Sequence, residues 1–427
     1  MTEPMRQRPL LALSSVVLEL ELLTPLHVGA GGPPLVGGYD VVADPAQGRY
    51  YLVDVDRLIA ERMTEEQLAR GSDPRVEHLI TPQEWPQYAR AVLPGPRGRD
   101  LAVETRRHWE VLPFTRDAHG HPYLPGSSLK GALRTALAYE LLRQALRTAT
   151  GPDRSGGRFG DLPVGRALWD QLRGERRTSR EWFARPLETS LFQGSQSFDP
   201  NHDLLRALRP NDSAPLPLDA SVIEQVGIYR LHGGQLRLVS DKHRWLVEAL
   251  PPDTRLTVRL DVDAGPFGAE RGLPAERRAF LALEALFAAC RAFAWRLVTV
   301  EYQSTRQSGS PLATVYASLA KRIEQSSRDE AFLQLGWGTG WRAKTIGPLL
   351  ELSAVTDGPE FLATLVRQLR LDRAGRGLPF PRTRRYVERS GRPAMPLGWV
   401  RVRPRWSMTE MTDAATERRP DHHARTP

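Results

Sequence analysis

The sequence contains little cysteine and no long uncharged hydrophobic run. Its 427 residues include a single cysteine, Cys290, which excludes an internal disulfide framework and a cysteine-based zinc cluster. Cys290 lies in a mostly apolar stretch, so a buried thiol is predicted. No run of 18 uncharged apolar residues occurs, and no transmembrane helix is therefore predicted. Glutamates alternate with apolar residues over 17–22, which predicts a strand rather than a signal peptide, and hence a cytoplasmic protein.

Several motifs of nucleotide-binding and metal-dependent proteins are also missing. No G-x-G-x-x-G follows a predicted strand, and neither G-x-x-x-x-G-K-[ST] nor H-E-x-x-H occurs. Nucleotide-binding folds therefore have little support. No metal or other cofactor is predicted.

Lysine is scarce, although the chain is strongly basic. Only four of the 59 cationic residues are lysines, and the net charge is +9 with a pI near 10. This charge favours a polyanionic partner, nucleic acid first and a membrane surface second. Two of the four lysines, Lys130 and Lys344, lie in segments bracketed by glycine.

The length and the 41% hydrophobic content are sufficient for two folded domains. Periodicity predicts strands over 15–23, 50–53, 221–231, 254–263 and 400–405, and helices over 56–70, 127–147, 276–300 and 361–371. This order indicates a split β-α-β unit, and therefore an α+β protein of ferredoxin-like type with long inserted loops. Residues 148–186, rich in glycine and arginine, are predicted to form a mobile, solvated basic insertion able to order on RNA. The tail 408–427 is predicted to be disordered.

The segment 124–137 carries the most chemical information. A Pro-Gly turn precedes Ser127 and Ser128, either of which could cap an amphipathic helix at its N-terminus. Lys130 and Arg134 share one face of that helix, one turn apart. A helix start with a hydroxyl group and two cations suits a phosphate, so Ser127, Ser128, Lys130 and Arg134 are candidate RNA contacts. The alternative is an ordinary capped core helix.

A glycine-rich loop forms the second candidate site. Its glycines allow backbone N–H groups to approach an anion, tryptophans within it could stack on bases, and nearby cations could bind phosphate. The alternative is a tight turn with two buried tryptophans. The candidate RNA-binding residues of this loop are Gly336, Gly338, Gly340, Trp341, Arg342 and Lys344, with Trp337 as a weaker stacking candidate.

A third basic cluster contains Arg382, Arg384 and Arg385, next to Tyr386. Contact with RNA or with a protein partner is one interpretation. A solvated loop is the other, because arginine clusters are common in this chain.

Three separated motifs resemble the RAMP superfamily of CRISPR effector proteins. Leu23-Thr24-Pro25-Leu26-His27-Val28-Gly29 is similar to its opening motif, Pro125-Gly126-Ser127-Ser128-Leu129-Lys130-Gly131 to its signature helix start, and Leu335-Gly336-Trp337-Gly338-Thr339-Gly340-Trp341 to its glycine-rich loop. The resemblance implies two ferredoxin-like (RRM-like) RAMP modules that bind guide RNA, over 1–265 and 266–407. It also makes His27 a candidate RNA contact.

Within the superfamily, the chain resembles the subunit that caps the 3′ end of the CRISPR RNA (crRNA) in type III-A (Csm) complexes. The features in common are 203–213, Lys344-Thr345, the basic cluster at 381–385 and the Gly-Trp-Val at 398–400. Asn211-Asp212-Ser213 stands where that subtype usually has Ser-Asp-Ser.

This resemblance implies a non-catalytic crRNA-binding subunit that acts in antiviral defence. The implied partners are crRNA, the backbone RAMP subunit, the small subunit and, indirectly, target RNA, with no membrane. One alternative is a RAMP endoribonuclease in which His27 acts as a general acid or base. The other is a subunit of the related type III-B (Cmr) complex.

Overall fold

A computed structural model describes residues 13–98, 101, 109–150, 157–174, 179–180, 182–193, 202–232, 235–263, 275–372, 375 and 377–405. The predicted tail 408–427 lies outside the described residues. The strands are β1 Leu13–Leu22, β2 Leu35–Val36, β3 Val41–Asp44, β4 Arg49–Val53, β5 Ala89–Pro94, β6 Glu110–Leu112, β7 Leu208–Pro210, β8 Val222–His232, β9 Gln235–Leu238, β10 Arg244–Ala249, β11 Arg255–Asp263, β12 Ala331–Gln334, β13 Thr383–Arg389, β14 Arg392–Met395 and β15 Trp399–Pro404. The helices are α1 Val55–Arg62, α2 Glu65–Ala69, α3 Val76–Leu79, α4 Trp85–Tyr88, α5 Gly126–Thr150, α6 Pro163–Arg173, α7 Arg185–Glu188, α8 Ala275–Arg278, α9 Leu283–Thr305, α10 Leu312–Glu324, α11 Gly347–Leu350 and α12 Gly358–Gln368.

The first sheet has five strands in the order β12-β15-β1-β11-β7, and all neighbours are antiparallel. In β1, Leu18, Leu20 and Leu22 are buried, whereas the intervening glutamates form ion pairs with arginines of β15. The alternation of apolar and charged residues thus sets which face of β1 meets the core.

This sheet contains the split β-α-β unit. β1 and β7 are parallel, α5 lies between them in the sequence, and β11 lies between them in the sheet. α9 packs against α5, with Tyr139 and Phe293 in ring contact at 5.2 Å between centroids. The predicted α+β class and its ferredoxin-like unit are confirmed. Cys290, on α9, is fully buried as predicted, and burial raises the pKa of its thiol to about 12.

The second sheet has the order β14-β13-β8-β10-β6-β2, with β9 paired to β8. A three-stranded meander, β3-β4-β5, packs on one face against α1, α3 and α4 and on the other against residues of β6, β8 and β10. Both larger sheets contain strands from each side of residue 265, and one core contains residues from both. The boundary at 265 remains a prediction, but the segments that it separates share their sheets and core.

The prediction of a solvated loop over 148–186 is wrong for much of that segment. α6 buries Leu168, Trp169 and Leu172, and Trp169 contacts Phe361 of α12 at 5.0 Å between ring centroids. The Asp357 carboxylate accepts hydrogen bonds from the first two amides of the turn 159–161, at 2.6 and 2.8 Å. Because this segment is rich in glycine and arginine, the sequence analysis did not recognise the apolar face of the helix. Residues 151–156, 175–178 and 181 of the insertion lie outside the described residues.

Two further corrections are local. The helix predicted over 56–70 is divided into α1 and α2, because Thr64 forms a capping box with Gln67 at the start of α2. The helix predicted over 276–300 starts with a turn and reaches Thr305. Among the described residues, no helix is long and apolar enough to cross a membrane.

Candidate nucleic-acid interface

The segments singled out from the sequence meet at one edge of the first sheet. β1, β7 and β12 run parallel to one another, so their C-terminal ends lie on the same side. α5 begins there, and it contacts the turn 342–344 of the glycine loop. We call this region the C-terminal edge and define it as residues 23–29, 124–131 and 335–345.

The start of α5 is capped by an aspartate from another segment. The Gly126 N–H donates to the Asp212 carboxylate at 2.8 Å, and the Leu124 N–H donates to the Ser213 hydroxyl at 2.9 Å. The prediction of Ser127 or Ser128 as the N-cap is therefore wrong, since both lie in the first helical turn. The carboxylate also occupies the anion position that the helix start offers.

Gly126 is required where α5 meets the end of β7. A Cβ atom on this residue would lie 2.2 Å from the Pro210 carbonyl oxygen. Gly131, one and a half turns later, is exposed, and a Cβ atom there would meet nothing within 4 Å. Two glycines of one motif therefore have different roles, the first in packing and the second in keeping the surface open.

Lys130 and Arg134 differ in what they contact. The Arg134 guanidinium pairs with Glu188 at 3.0 Å and lies over the Phe192 ring at 4.8 Å from its centroid. Lys130 forms no ion pair or hydrogen bond within the described part of the chain. Burial lowers the pKa of its ammonium group, and the nearby Asp203 carboxylate opposes that shift. Of the two predicted cationic phosphate contacts on α5, Lys130 is the one without an ion-pair partner among the described residues.

The glycine loop has backbone conformations that favour glycine. Gly336, Gly338 and Gly340 have φ values of +80°, +83° and +84°. The first two also pack closely, because a Cβ atom would lie 2.3 Å from the His27 carbonyl oxygen at Gly336 and 2.6 Å from Leu397 at Gly338. Gly340 meets nothing within 4 Å. Its backbone is therefore the part of the loop that a ligand can approach.

His27 is a buried residue of the opening motif, and its backbone is hydrogen-bonded to the glycine loop. Its ring is 2% exposed, its Nδ1–H donates to the Glu248 carbonyl oxygen at 2.6 Å, and its own carbonyl accepts from the Trp337 N–H at 2.8 Å. Burial lowers the pKa of the imidazole, with partial opposition from Glu248. A ring enclosed in this way presents no edge to RNA, so the predicted RNA contact by its side chain finds no support.

Three of the predicted cations form internal ion pairs. Arg342 and Arg384 both contact the Glu301 carboxylate, at 2.9 and 3.0 Å, and Arg342 also contacts Glu351 at 3.0 Å. Burial would raise the pKa of Glu301, but the two arginines hold it below its ordinary value. Arg382 is within 3.6 Å of a carboxylate oxygen of Asp372. A phosphate would therefore have to compete with these carboxylates for the three guanidinium groups.

Lys344 and Arg385 are different. Lys344 is exposed and forms no ion pair with another described residue. The Arg385 guanidinium has aromatic neighbours, at 4.9 Å from the Trp337 ring centroid and 5.7 Å from that of Trp245. Although Lys344 is exposed overall, partial burial of its ammonium group and the positive charge of Arg385 lower its pKa, and burial lowers the pKa of Arg385. Trp245 is a residue that the sequence analysis missed, and the basic neighbours around it in 242–245 are the signal that could have found it.

Trp341 contributes more to packing than predicted. Its ring lies against Gly347, where a Cβ atom would be 2.0 Å away, and contacts Phe380 at 5.1 Å between centroids. It nevertheless borders a small cleft of about 70 Å³ between the glycine loop and β13, together with Gly340 and Arg385. No group of three or more His, Cys, Asp or Glu side chains in the described ranges could hold a metal ion.

The fold and site define a ferredoxin-like α+β protein with unpaired cations and an open glycine backbone at one sheet edge. The chain belongs to the RAMP superfamily, whose family model matches residues 19–343. The superfamily inferred from the three motifs is thereby confirmed.

The chain is similar to curated proteins named Csm5, which agrees with the resemblance to a Csm subunit. It is 30% identical to that of Streptococcus thermophilus over 131 residues, which cover 28% of this chain and 37% of the relative. It is 27% identical to that of Mycobacterium tuberculosis (strain H37Rv) over 274 residues, which cover 58% of this chain and 66% of the relative. The matches thus span less than two thirds of each relative.

Solved structures share the fold. One is a chain of a cryo-EM structure of a type III-A Csm–crRNA–target RNA ternary complex, with a TM-score of 0.65 and 23% identity over 91% of this chain and 100% of that one. Another is the crystal structure of T. onnurineus Csm5, with a TM-score of 0.57 and 24% identity over 90% and 99% of the two chains.

Proposed function

We propose that this chain is the Csm5-type subunit of a type III-A (Csm) effector complex and holds the 3′ end of the crRNA without cutting it. The observation that carries the proposal is which cations at the C-terminal edge have a carboxylate partner and which do not. Lys130 and Lys344 have no carboxylate partner within the described structure, and the open backbones of Gly131 and Gly340 lie in the same segments. Their neighbours Arg134 and Arg342 are paired.

Two unpaired lysines at one edge favour an extended polyanion. Each contact with a phosphate releases a counterion from the RNA, and such contacts position a strand without reading its sequence. The open glycines, Gly131 directly after Lys130 and Gly340 four residues before Lys344, allow the sugar-phosphate backbone to approach closely. The Csm5 relatives and the fold shared with a chain of a Csm–crRNA–target RNA complex support crRNA as the ligand. The backbone RAMP subunit and the small subunit are the proposed neighbours, and target RNA is an indirect partner.

The geometry of His27 favours holding over cutting. A general acid or base must come within hydrogen-bond distance of the 2′-hydroxyl whose proton it moves, and this ring is enclosed by Trp337 and Phe114. Its Nδ1 is already bonded to Glu248. The endoribonuclease alternative therefore lacks support from the residue on which it was based.

The test is a photo-crosslinking experiment on the assembled complex. A photoreactive nucleotide is placed at the 3′ end of the crRNA in one sample and at the 5′ end in another. We expect this chain to crosslink from the 3′ end, and complexes lacking it should carry longer or ragged crRNA 3′ ends. Crosslinking from the 5′ end only would contradict the capping role.

Two further assays separate the alternatives. Purified chain is incubated with repeat RNA, with and without a divalent metal, and we expect no site-specific product. Specific products that disappear in His27→Ala would establish the endoribonuclease instead. Copurification with type III-B rather than type III-A subunits would establish the Cmr alternative.

A further inference from the structure

Trp245 and Arg385 lie on one face of the second sheet. Trp245 of β10 pairs with Val226 of β8, which pairs with Val387 of β13. Arg385 is two residues before Val387, so its side chain leaves the sheet on the same face as Trp245. Trp337, from the glycine loop, packs against Trp245 at 6.0 Å between centroids with the rings nearly perpendicular. The C-terminal edge therefore continues onto this sheet face.

The Arg385 guanidinium is positioned by two aromatic rings but has no hydrogen-bond acceptor among the described residues. It lies over both indole rings, at 4.9 and 5.7 Å, yet it donates no hydrogen bond to any described residue, and its Nε atom is buried without a partner. On the same strand, Arg384 pairs with Glu301 and Arg389 with Glu224. A desolvated cation without an anion is unfavourable, so the geometry of Arg385 points to an acceptor supplied by a ligand.

The groups around this guanidinium suit one nucleotide. Trp245 and Trp337 are both partly exposed, and Trp and Arg planes are the surfaces on which unpaired bases stack. Arg342, in the same turn as Lys344, borders one cleft with Arg385, so Lys344 is a second cation next to this guanidinium that a phosphate can contact. A planar guanidinium can bind two phosphate oxygens at once.

We propose that Trp245, Trp337 and Arg385 form a stacking platform for one nucleotide of single-stranded RNA. The base stacks on Trp245, and its phosphate is bound by Arg385 and Lys344. The proposal rests on the proposed function and adds a contact with a base to an interface otherwise made of phosphate contacts. Stacking is tolerant of sequence because every base has a flat face.

The experiment measures the affinity of the full-length chain for two probes of equal length, single-stranded oligouridylate and the same oligomer with abasic nucleotides. Trp245→Ala should weaken binding of oligouridylate about tenfold and leave binding of the abasic probe unchanged. Trp245→Phe should retain most of the affinity. Trp295→Ala is the matched control, because Trp295 is an exposed tryptophan on α9, and its affinity should equal that of the unaltered chain.

Several results would overturn the platform. Equal affinities of Trp245→Ala and Trp295→Ala for oligouridylate, or equal losses on both probes, would exclude base stacking, and the proposed function would survive if Lys130→Ala still weakened RNA binding. Failure of the unaltered chain to bind either probe, alone and in the complex, would overturn both proposals. If Arg385→Ala prevented assembly with the neighbouring subunits and left RNA affinity unchanged, Arg385 would instead bind a carboxylate of a protein partner.

Discussion

The cations around the glycine loop are used in two different ways. Arg342 and Arg384 converge on the buried Glu301 carboxylate. Lys344, in contrast, is exposed, and Arg385 lies over tryptophan rings without a carboxylate partner in the described structure. The sequence places all four within 50 residues. The difference shows that charge clusters in this chain have to be divided by partner before any are assigned to RNA.

The chemistry of the two side chains explains much of this division. A guanidinium has five donors in a rigid plane and can bind two carboxylates at once, as Arg342 does with Glu301 and Glu351. An ammonium group is a compact, strongly hydrated charge that is less suited to buried networks. In a chain where nearly all cations are arginine, the few lysines are therefore better markers of an exposed phosphate contact. Lys130 and Lys344 both fit that pattern.

The largest effect should come from the paired cations. Glu301→Ala leaves two buried guanidinium groups without their shared anion and should reduce the free energy of unfolding by about 3–5 kcal/mol. Chemical denaturation measures this change. Glu66→Ala, which breaks the exposed Glu66–Arg70 pair at α2, is the control and should have a small effect. A Glu301→Ala variant as stable as Glu66→Ala would show that the network is not structural.

The two glycines of the helix-start motif differ in a similar way, because Gly126 is closely packed and Gly131 is open to solvent. Gly126→Ala places a Cβ atom against the Pro210 carbonyl and should cost about 1–3 kcal/mol of unfolding free energy. Gly131→Ala places a Cβ atom in open space and should raise the free energy of unfolding by up to about 1 kcal/mol through helix propensity. The same denaturation curves, with RNA affinities measured beside them, test both. Equal stability of the two variants would contradict the packing role of Gly126.

His27 gives a smaller effect that depends on pH. Its pKa in the folded chain lies below its ordinary value of 6.5 because it is buried, so the unfolded chain binds the proton first on acidification. Its contribution to stability is complete above 6.5 and is lost as the pH falls through the folded pKa. His27→Gln cannot titrate, and the difference in unfolding free energy between the two chains should change between about pH 8 and pH 5. A constant difference would indicate an exposed ring with an ordinary pKa.

Much of the fold could be predicted from the sequence. The alternation in β1 and the leucine spacing in α5 follow from local periods, and the structure has both elements. α6 could not be predicted in the same way, because its apolar face has meaning only against α12 and Asp357, nearly 200 residues later. The cap of α5 by Asp212 is likewise supplied from a distant segment.

The motifs of the candidate site could be identified from the sequence, but the role of each residue could not. That the three motifs meet at one edge is a finding of the structure. Which cations are free depends on long-range pairs such as Arg384 with Glu301, 83 residues apart. The enclosure of His27 depends on Glu248 and Trp337. The sequence motifs thus identify the segments of the candidate interface, and tertiary packing determines which of their side chains are available to a ligand.

The central claim is that the unpaired lysines at the C-terminal edge contact RNA phosphates. The most direct test is the salt dependence of the affinity for single-stranded RNA, compared between the unaltered chain, Lys130→Ala with Lys344→Ala, and Lys321→Ala as an exposed lysine control on α10. The double variant should keep its stability within about 0.5 kcal/mol per site, and its slope of log affinity against log salt should be shallower by about 1.4. The control should keep the original slope. A double variant whose slope equals that of Lys321→Ala would contradict the account.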